Sequence, residues 1–454
     1  MNHVYESEKT GITLRILIFF QILLLGFAQA QNLYFPPLTG SEWETVSPAA
    51  LGWDITKIDS LYSFLSSTNT KAFLVLKDGK IAIEKYFDSF TKDSMWYWAS
   101  AGKSLTAVLV GIAEQEGKIS LSDSTSKYLS PGWTSLSTSQ EGKIKIIHQL
   151  TMTTGLDDGV SDPYCTLPTC LTFKSEPGTR WAYHNAPYTL LDNVIESATG
   201  LSMNLFFQQK LRPVTGMNGL YLRNGYNNVF YSSARSMARF GLLMLNKGTW
   251  NSSTIISDTS YFRKMVNTSQ SYNLSYGYLW WLNGKESFML PQSQFVFPGN
   301  FAPDAPQDMI AAIGKNGQIV NVVPRDKLVV IRMGEAPGSG VEVPTFYNND
   351  IWKRLKLVVT PATGLKETSS SKSEEFGIYP VPADNKLFIR GLSGSTEPAN
   401  VCIYSMNGEK VLQSFSTGSL DISALTNGIY FGVIVSGKVT TTFKFVKTSE
   451  QHIE

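Results

Sequence analysis

A polar break near residue 360 limits what this chain can fold into more than any other feature. Thr360-Pro361-Ala362-Thr363-Gly364 is followed by Lys366 to Glu375, where serine and charged residues leave no apolar periodicity, the composition of a linker. Before the break, from about residue 31 to 358, helical and strand patterns alternate without an obvious repeat. After it come short alternating segments: Lys386 to Ile389, Val401 to Tyr404, Ile429 to Val435 and Thr441 to Val446. They are punctuated by the turn dipeptides Asn407-Gly408, Asn427-Gly428 and Ser436-Gly437. Two patterns of such different character call for two domains. We expect a mixed α/β (α+β) domain over 31–358, a linker over 359–375 and a small all-β sandwich over 376–454.

The first 30 residues read as a secretory signal. Lys9 and Arg15 supply positive charge, Ile16 to Phe27 are apolar, and Ala28-Gln29-Ala30 is a small-residue cleavage pattern that predicts a mature start near Gln31. The apolar run is about 12 residues and is interrupted by Gln21, short of the roughly 20 a membrane span requires. No later stretch approaches that length, so the mature chain is expected to be soluble or surface-attached, without a transmembrane segment. In an oxidising compartment Cys165 and Cys170 are candidates for a local disulfide, with two unlinked thiols as the alternative. Cys402 alternates with apolar neighbours and reads as a buried strand residue.

Composition removes whole classes of function. Lys and Arg number 39 against 37 Asp and Glu, so bulk electrostatics give no reason to expect a nucleic-acid partner. Of the 4 histidines, His3 lies in the leader and His452 near the C-terminus, which leaves His148 and His184 for chemistry. With 3 cysteines besides, ligands for a metal centre are scarce, and neither metal nor cofactor is expected. A Ser-His-Asp triad would need one of those two histidines, yet no Gly-x-Ser-x-Gly elbow exists to host it.

A nucleophile is legible elsewhere. Ser-x-x-Lys tetrads start at Ser89, Ser100, Ser124 and Ser369, so the pattern alone says little. Only Ser100 opens a helical pattern, with Leu105, Val108, Leu109, Ile112 and Ala113 at helical spacing up to Gly117. Residues three apart share a helix face, so Lys103 comes within reach of the Ser100 hydroxyl. The helix start sets backbone N–H groups beside a developing oxyanion. A serine becomes a useful nucleophile when a neighbouring base takes its proton, and a desolvated lysine can do so. The bland alternative is an ordinary N-cap with a solvated lysine.

Tyr183-His184-Asn185 follows a turn, Glu176 to Ala182, and precedes a helical pattern that ends at Gly200. Tyr-x-Asn also occurs at Tyr226 and Tyr347, so again the surroundings decide. The order of Ser-x-x-Lys and then Tyr-x-Asn resembles the penicillin-recognising serine hydrolases: class C β-lactamases, D,D-peptidases and β-lactamase-fold esterases and amidases. The blocks Ile146 to Leu156, Glu176 to Gly200 and Asn224 to Leu245 extend the resemblance, which covers roughly residues 50–358. It implies a β-lactamase/transpeptidase-like fold, an antiparallel sheet flanked by helices plus an all-helical region. It also implies that Tyr183 serves as general acid/base, its phenol acidified by Lys103, and that Asn185 hydrogen-bonds Lys103 or the substrate. His184 lies between them and, on extended backbone, should point to the opposite face.

The family's third element is Lys-Thr-Gly or His-x-Gly on a strand facing the nucleophile. The Lys9-Thr10-Gly11 triplet is in the leader and is a decoy. The expected region reads Ala311-Ala312-Ile313-Gly314-Lys315-Asn316-Gly317-Gln318 and resembles the 6-aminohexanoate-dimer hydrolase and carboxylesterase branch. There Ala312 replaces the cationic residue, and the resemblance makes Gly314 and Lys315 the oxyanion segment, with the Lys315 and Ser100 N–H groups as donors. A shifted register, with Lys315-Asn316-Gly317 as the motif, stays open. Loss of the cation at Ala312 removes a partner for the carboxylate of penicillins. The implied activity is therefore amide or ester hydrolysis of a small or peptide-like substrate, ahead of D,D-peptidase or β-lactamase activity. A binding protein that keeps the fold without catalysis is the competing class. Tyr276 to Trp281 reads as an aromatic strand before this element, its rings mostly in the core.

The tail carries a second resemblance. Tyr379-Pro380-Val381-Pro382-Ala383, Asn407-Gly408-Glu409-Lys410, Leu420-Asp421-Ile422, Asn427-Gly428-Ile429-Tyr430 and Lys444-Phe445-Val446-Lys447 resemble the C-terminal sorting domain of type IX secretion. This implies export to the cell surface or beyond, with the secretion machinery as partner. An accessory carbohydrate-binding or immunoglobulin-like module is the competing reading.

Overall fold

The apolar runs Ala72 to Leu76, Ile319 to Val323 and Leu328 to Met333 lie in three neighbouring strands buried along almost their whole length. Strands covered on both faces need no polar alternation, which is why these segments read as near-continuous apolar stretches. They occur in a computed structural model that describes residues 33–337, 345–360, 377–379, 381–390, 398–405, 410–436 and 439–448. The expected leader at 1–30 and nearly all of the expected linker lie outside the described residues.

Besides two short hairpins, Thr249–Trp250 with Ser253–Thr254 and Ser287–Met289 with Val296–Pro298, the strands of the first region are β1 (Thr70–Lys77), β2 (Lys80–Tyr86), β3 (Met95–Tyr97), β4 (Leu220–Asn224), β5 (Asn227–Ser233), β6 (Trp281–Leu282), β7 (Ile310–Gly314), β8 (Gln318–Val323) and β9 (Leu328–Gly334). Among the described residues they form one antiparallel sheet of order β2-β1-β9-β8-β7-β6 and a smaller one of order β3-β5-β4. The longer helices are α1 (Ile58–Ser67), α2 (Gly102–Gln115), α3 (Asn185–Thr199), α4 (Ala234–Leu245) and α5 (Thr345–Val359). Helix α4 lies on β8 and β9, α1 packs on β1 and α5, and α2 packs on α3. The α4 contact is tight: a Cβ on Gly241 would come within 2.3 Å of Val329 Cγ1.

Helix α2 differs from expectation. Every residue from Gly102 to Ala113 is buried, so it has no wet face until Glu114 and serves as a central helix rather than an amphipathic one. Ser100 sits just before it, in the 3₁₀ turn Ala99–Ala101. The aromatic segment also departs from its expected form. Only Trp281 and Leu282 are in a strand, while Tyr276 to Leu279 fold into a tight turn with Leu279 at φ 59°. Gly277 enters that turn where a Cβ would meet the Met265 carbonyl at 2.2 Å, so an extended strand cannot fit. The rings are buried as expected.

Beyond residue 376 the strands are β10 (Gly377–Tyr379), β11 (Lys386–Arg390), β12 (Ala399–Ser405), β13 (Lys410–Ser416), β14 (Ser419–Asp421), β15 (Gly428–Ser436) and β16 (Val439–Lys447). They make two sheets, β10-β11-β14 and β13-β12-β15-β16. Leu387, Ile389, Val401, Ile403, Ile434 and Phe445 fill the space between them. The alternation in β11 is the plain signature of a two-layer sandwich: Leu387 and Ile389 point in, Lys386, Phe388 and Arg390 point out. Cys402 is on β12 but only half-buried, because the inward positions belong to Val401 and Ile403. Rings of the sandwich reach the first region, with Tyr404 4.0 Å from Phe295 and Phe431 5.6 Å from Phe297. Among the described residues no helix is long and apolar enough to cross a membrane.

Candidate active site

Three chain segments converge on Ser100. The first is its own turn, fixed by Trp98, which is fully buried and donates its indole N–H to Ser232 Oγ at 2.8 Å. The backbone of Trp98 donates to the Phe230 carbonyl at 2.8 Å, continuing the β3–β5 pairing up to the Ser100 turn. Ala99 is then forced to φ 45°, a left-handed conformation costing a non-glycine residue on the order of 1–3 kcal/mol. Such strain persists only where its surroundings over-determine it, and here it aims the Ser100 side chain into a cavity.

The second segment is the start of α3. His184 is extended at φ −104° and ψ 119°, and Asn185 begins the helix. Asn185 turns its side chain to Lys103, whose ammonium donates to Asn185 Oδ1 at 2.7 Å and to Ser100 Oγ at 3.2 Å. Lys103 is 3% exposed, and its Nζ lies 4.0 Å from the Tyr188 ring centre and 5.2 Å from that of Tyr183. Tyr183 is held among Trp181, Tyr276 and Trp281, its ring 6.0 Å from that of Trp281. Burial pushes the Tyr188 hydroxyl well above the ordinary phenol range, so it stays protonated.

His184 takes the other direction. Its ring is buried beside Asp158, Asp157 and Arg180, and among the described residues neither ring nitrogen has a hydrogen-bond partner. Burial brings its pKa down to about 4, leaving it neutral at physiological pH. His148 is likewise held down to about 4 by burial and by Lys145.

The third segment is the end of β7. A Cβ on Gly314 would fall 2.4 Å from the Trp98 carbonyl oxygen and 3.0 Å from the Ser100 nitrogen, so only glycine permits this approach. Gly317 instead abuts Arg332 and Tyr347. Gly314 is therefore the glycine that meets the Ser100 turn. Ala312 is buried in β7 opposite Val320. The following turn is braced from below: Arg332, fully buried, donates to the carbonyls of Gly317, Thr68 and Glu335 at 3.1, 2.8 and 3.0 Å. Gln318 adds a bond to the Lys315 carbonyl at 3.3 Å.

These segments open into a cavity of about 340 Å³ lined by Ser100, Lys103, Asn185, Tyr188 and Lys315. Its outer wall was not anticipated. Asn224, Asn227 and Asn228 come from the β4–β5 hairpin, Tyr97 from β3, and Tyr164 from the loop that carries the Cys165–Cys170 disulfide. That loop is tied down by the Ala186 N–H to Pro163 carbonyl bond, 3.1 Å, and by the Arg180–Asp158 ion pair, 2.7 Å. The hairpin was hidden because its asparagines read as turn residues. Only the β3–β5 pairing, more than a hundred residues apart in sequence, brings the turn to the cavity that Ser100 lines. Chemically, the arrangement offers a serine hydroxyl, a desolvated amine in contact with it, an outer wall of uncharged polar side chains and one exposed cation, Lys315, at the end of β7.

Comparison with known proteins bears on the family and the fold. A family model described as Beta-lactamase matches residues 67–345, and one described as Secretion system C-terminal sorting domain matches residues 377–448. The chain is 22% identical over 326 residues to the 6-aminohexanoate-dimer hydrolase of Paenarthrobacter ureafaciens, covering 62% of this chain and 76% of that one. A penicillin-binding protein homologue from Caulobacter crescentus has a similar structure, with TM-score 0.51, 11% identity, and coverage of 66% of this chain and 95% of the other. A family VIII carboxylesterase gives TM-score 0.51 at 14% identity, with coverage of 66% and 96%. The two structural likenesses speak to the fold alone. The sorting domain marks the chain for secretion or the cell surface. With its model spanning more than half of the sequence, the chain belongs to the beta-lactamase family.

Proposed function

We propose that the protein is a secreted serine hydrolase that cleaves an amide or ester bond through an acyl-enzyme on Ser100. The observation that carries this reading is the contact of Lys103 Nζ with both Ser100 Oγ and Asn185 Oδ1 at the base of the cavity. With Lys103 as the neutral amine, the same contact runs the other way: the Ser100 O–H proton passes to Nζ as Oγ bonds the carbonyl carbon. The carbonyl oxygen becomes an oxyanion, and the N–H groups of Ser100 and Lys315 are its donors. Tyr183 delivers a proton to the leaving nitrogen or oxygen, and water then attacks the acyl-enzyme with the roles reversed. Asn185 orients Lys103.

The substrate follows from the wall. Asparagine amides donate and accept at once and carry no charge, which suits a neutral chain with amide groups better than an anionic drug. The 6-aminohexanoate-dimer hydrolase relative points the same way. Type IX export then delivers the enzyme to polymers or oligomers outside the cell. The test is a panel of p-nitrophenyl esters, linear amide oligomers and nitrocefin with the wild-type protein. We expect ester and amide turnover with slow nitrocefin hydrolysis. Nitrocefin turnover at rates near those on esters would move the assignment to β-lactamase or D,D-peptidase chemistry. No fluorophosphonate labelling of Ser100 at any pH would leave a binding protein.

The wall makes its own prediction. Asn224→Leu and Asn227→Leu should each raise KM for amide oligomers about three- to tenfold, the value of one or two hydrogen bonds, and leave p-nitrophenyl acetate kinetics unchanged. Equal effects on both substrates would remove the hairpin from substrate recognition.

A further inference from the structure

A second polar cluster lies directly behind the Ser100–Lys103 pair, and acyl transfer as described does not use it. Its centre is Asp192, one helical turn beyond Tyr188 on α3 and only 2% exposed. Among the described residues Asp192 Oδ1 has no hydrogen-bond partner, and the buried hydroxyl of Tyr221 on β4 faces both Asp192 and Thr106. The side-chain amide of Asn228, a wall residue of the cavity, is bonded to the carboxyl. On the near side Tyr188 separates Asp192 from Lys103, with Nζ 4.0 Å from its ring centre and its hydroxyl 3.5 Å from Thr106 Oγ1 of α2.

An orphaned carboxyl oxygen in a buried cluster asks for an explanation. An ionised carboxylate would leave Oδ1 without a donor in a medium that penalises charge, so the neutral acid is the less costly form there. Burial is also the dominant influence on its acidity, raising the pKa to about 7. The Asn228 bond, Arg223 and Lys103 act against burial, while Glu196 acts with it. The groups facing Asp192 are thus Lys103 from α2, Tyr188 and Glu196 from its own helix, and Tyr221 and Arg223 from β4.

We infer that Asp192 is a positioning residue that sets the protonation of Lys103: as the neutral acid it lets Lys103 stand as the amine that takes the Ser100 proton, and as carboxylate it holds Lys103 as ammonium. Asp192 touches neither substrate nor Ser100 and acts through Lys103. The inference rests on Lys103 being the base in the proposed function.

Its test is the pH dependence of Ser100 acylation by a fluorophosphonate. An anion near Lys103 favours the ammonium, so Asp192→Asn should move the acid limb to lower pH. The shift expected across one ring is about half to one pH unit, or about three- to tenfold in rate on that limb. A merely structural role would scale the rate alike at every pH. Asp192→Ser removes the same charge and gives the same shift, so the comparison survives if one variant fails to fold. Coupling is reciprocal. The protonated-carboxyl infrared band of Asp192, assigned by its absence from the Asp192 variants, should therefore titrate at higher pH in Lys103→Met than in wild type. Superimposable acid limbs, or an unchanged carboxyl midpoint in Lys103→Met, would overturn the inference and leave the serine-hydrolase reading intact. Failure of the wild type to acylate at any pH would remove both.

Discussion

Ser100→Ala is expected to abolish fluorophosphonate labelling and to lower ester and amide turnover about 10,000-fold or more, with the fold intact. The size follows from the chemistry. The alanine variant retains the cavity and the backbone donors but has no atom to form the acyl bond, so only general binding effects remain. Ser100 is half-buried at the cavity base and its hydroxyl carries no packing of its own, so thermal unfolding should change little. Lys103→Met should fall nearly as far, since the methionine fills a similar volume without a proton acceptor. The double variant should then be no worse than Ser100→Ala alone, because the two groups act as a unit. Losses that multiply in the double variant would mean that Lys103 contributes to binding rather than to activating Ser100. Turnover of amide oligomers unaffected by Ser100→Ala would move the nucleophile elsewhere.

How far this site was legible depends on the range of the interactions that build it. Ser100 and Lys103 are three residues apart, so helix geometry alone brings them together, and the extended blocks around Tyr183 and Gly314 carried the remaining elements. Local patterning also reported the sandwich, because alternation in Lys386 to Arg390 is a property of a single strand. What stayed hidden is what arises between distant segments. The asparagines at 224, 227 and 228 look like turn chemistry until β5 pairs with β3. Asp192 shares a helix face with Tyr188, Leu191 and Ile195, but only the packing of α3 on α2 and of the β4–β5 hairpin beside it shows the carboxyl buried there without a countercharge in contact. The same cause accounts for the error over α2. Apolar spacing reports one buried stripe, but its small residues, Gly102, Ser104, Ala107 and Gly111, are buried as well. At Gly111 a Cβ would meet the Tyr261 ring at 2.3 Å, so this face is closed by a neighbour that no periodicity within the helix could announce.

Tyr183→Phe should lower kcat on amides about 100- to 10,000-fold while KM changes little, the span expected for losing a general acid/base. Amides should suffer more than p-nitrophenyl esters, because an amine leaving group requires a proton and nitrophenolate does not. The phenyl ring keeps the contacts with Trp181, Tyr276 and Trp281, so the loss cannot be assigned to a collapsed aromatic cluster if thermal unfolding is unchanged. Tyr188 provides the control. It lies closer to Lys103, with Nζ 4.0 Å from its ring centre against 5.2 Å for Tyr183, and it lines the cavity. Proximity alone would therefore nominate Tyr188. Its hydroxyl, however, is completely enclosed and kept protonated by burial, so it cannot cycle a proton near neutral pH. Tyr188→Phe should accordingly cost less than about tenfold in kcat, through the weak Thr106 contact and the setting of Lys103. A larger kcat loss in Tyr188→Phe than in Tyr183→Phe would transfer the acid/base role from the first tyrosine to the second.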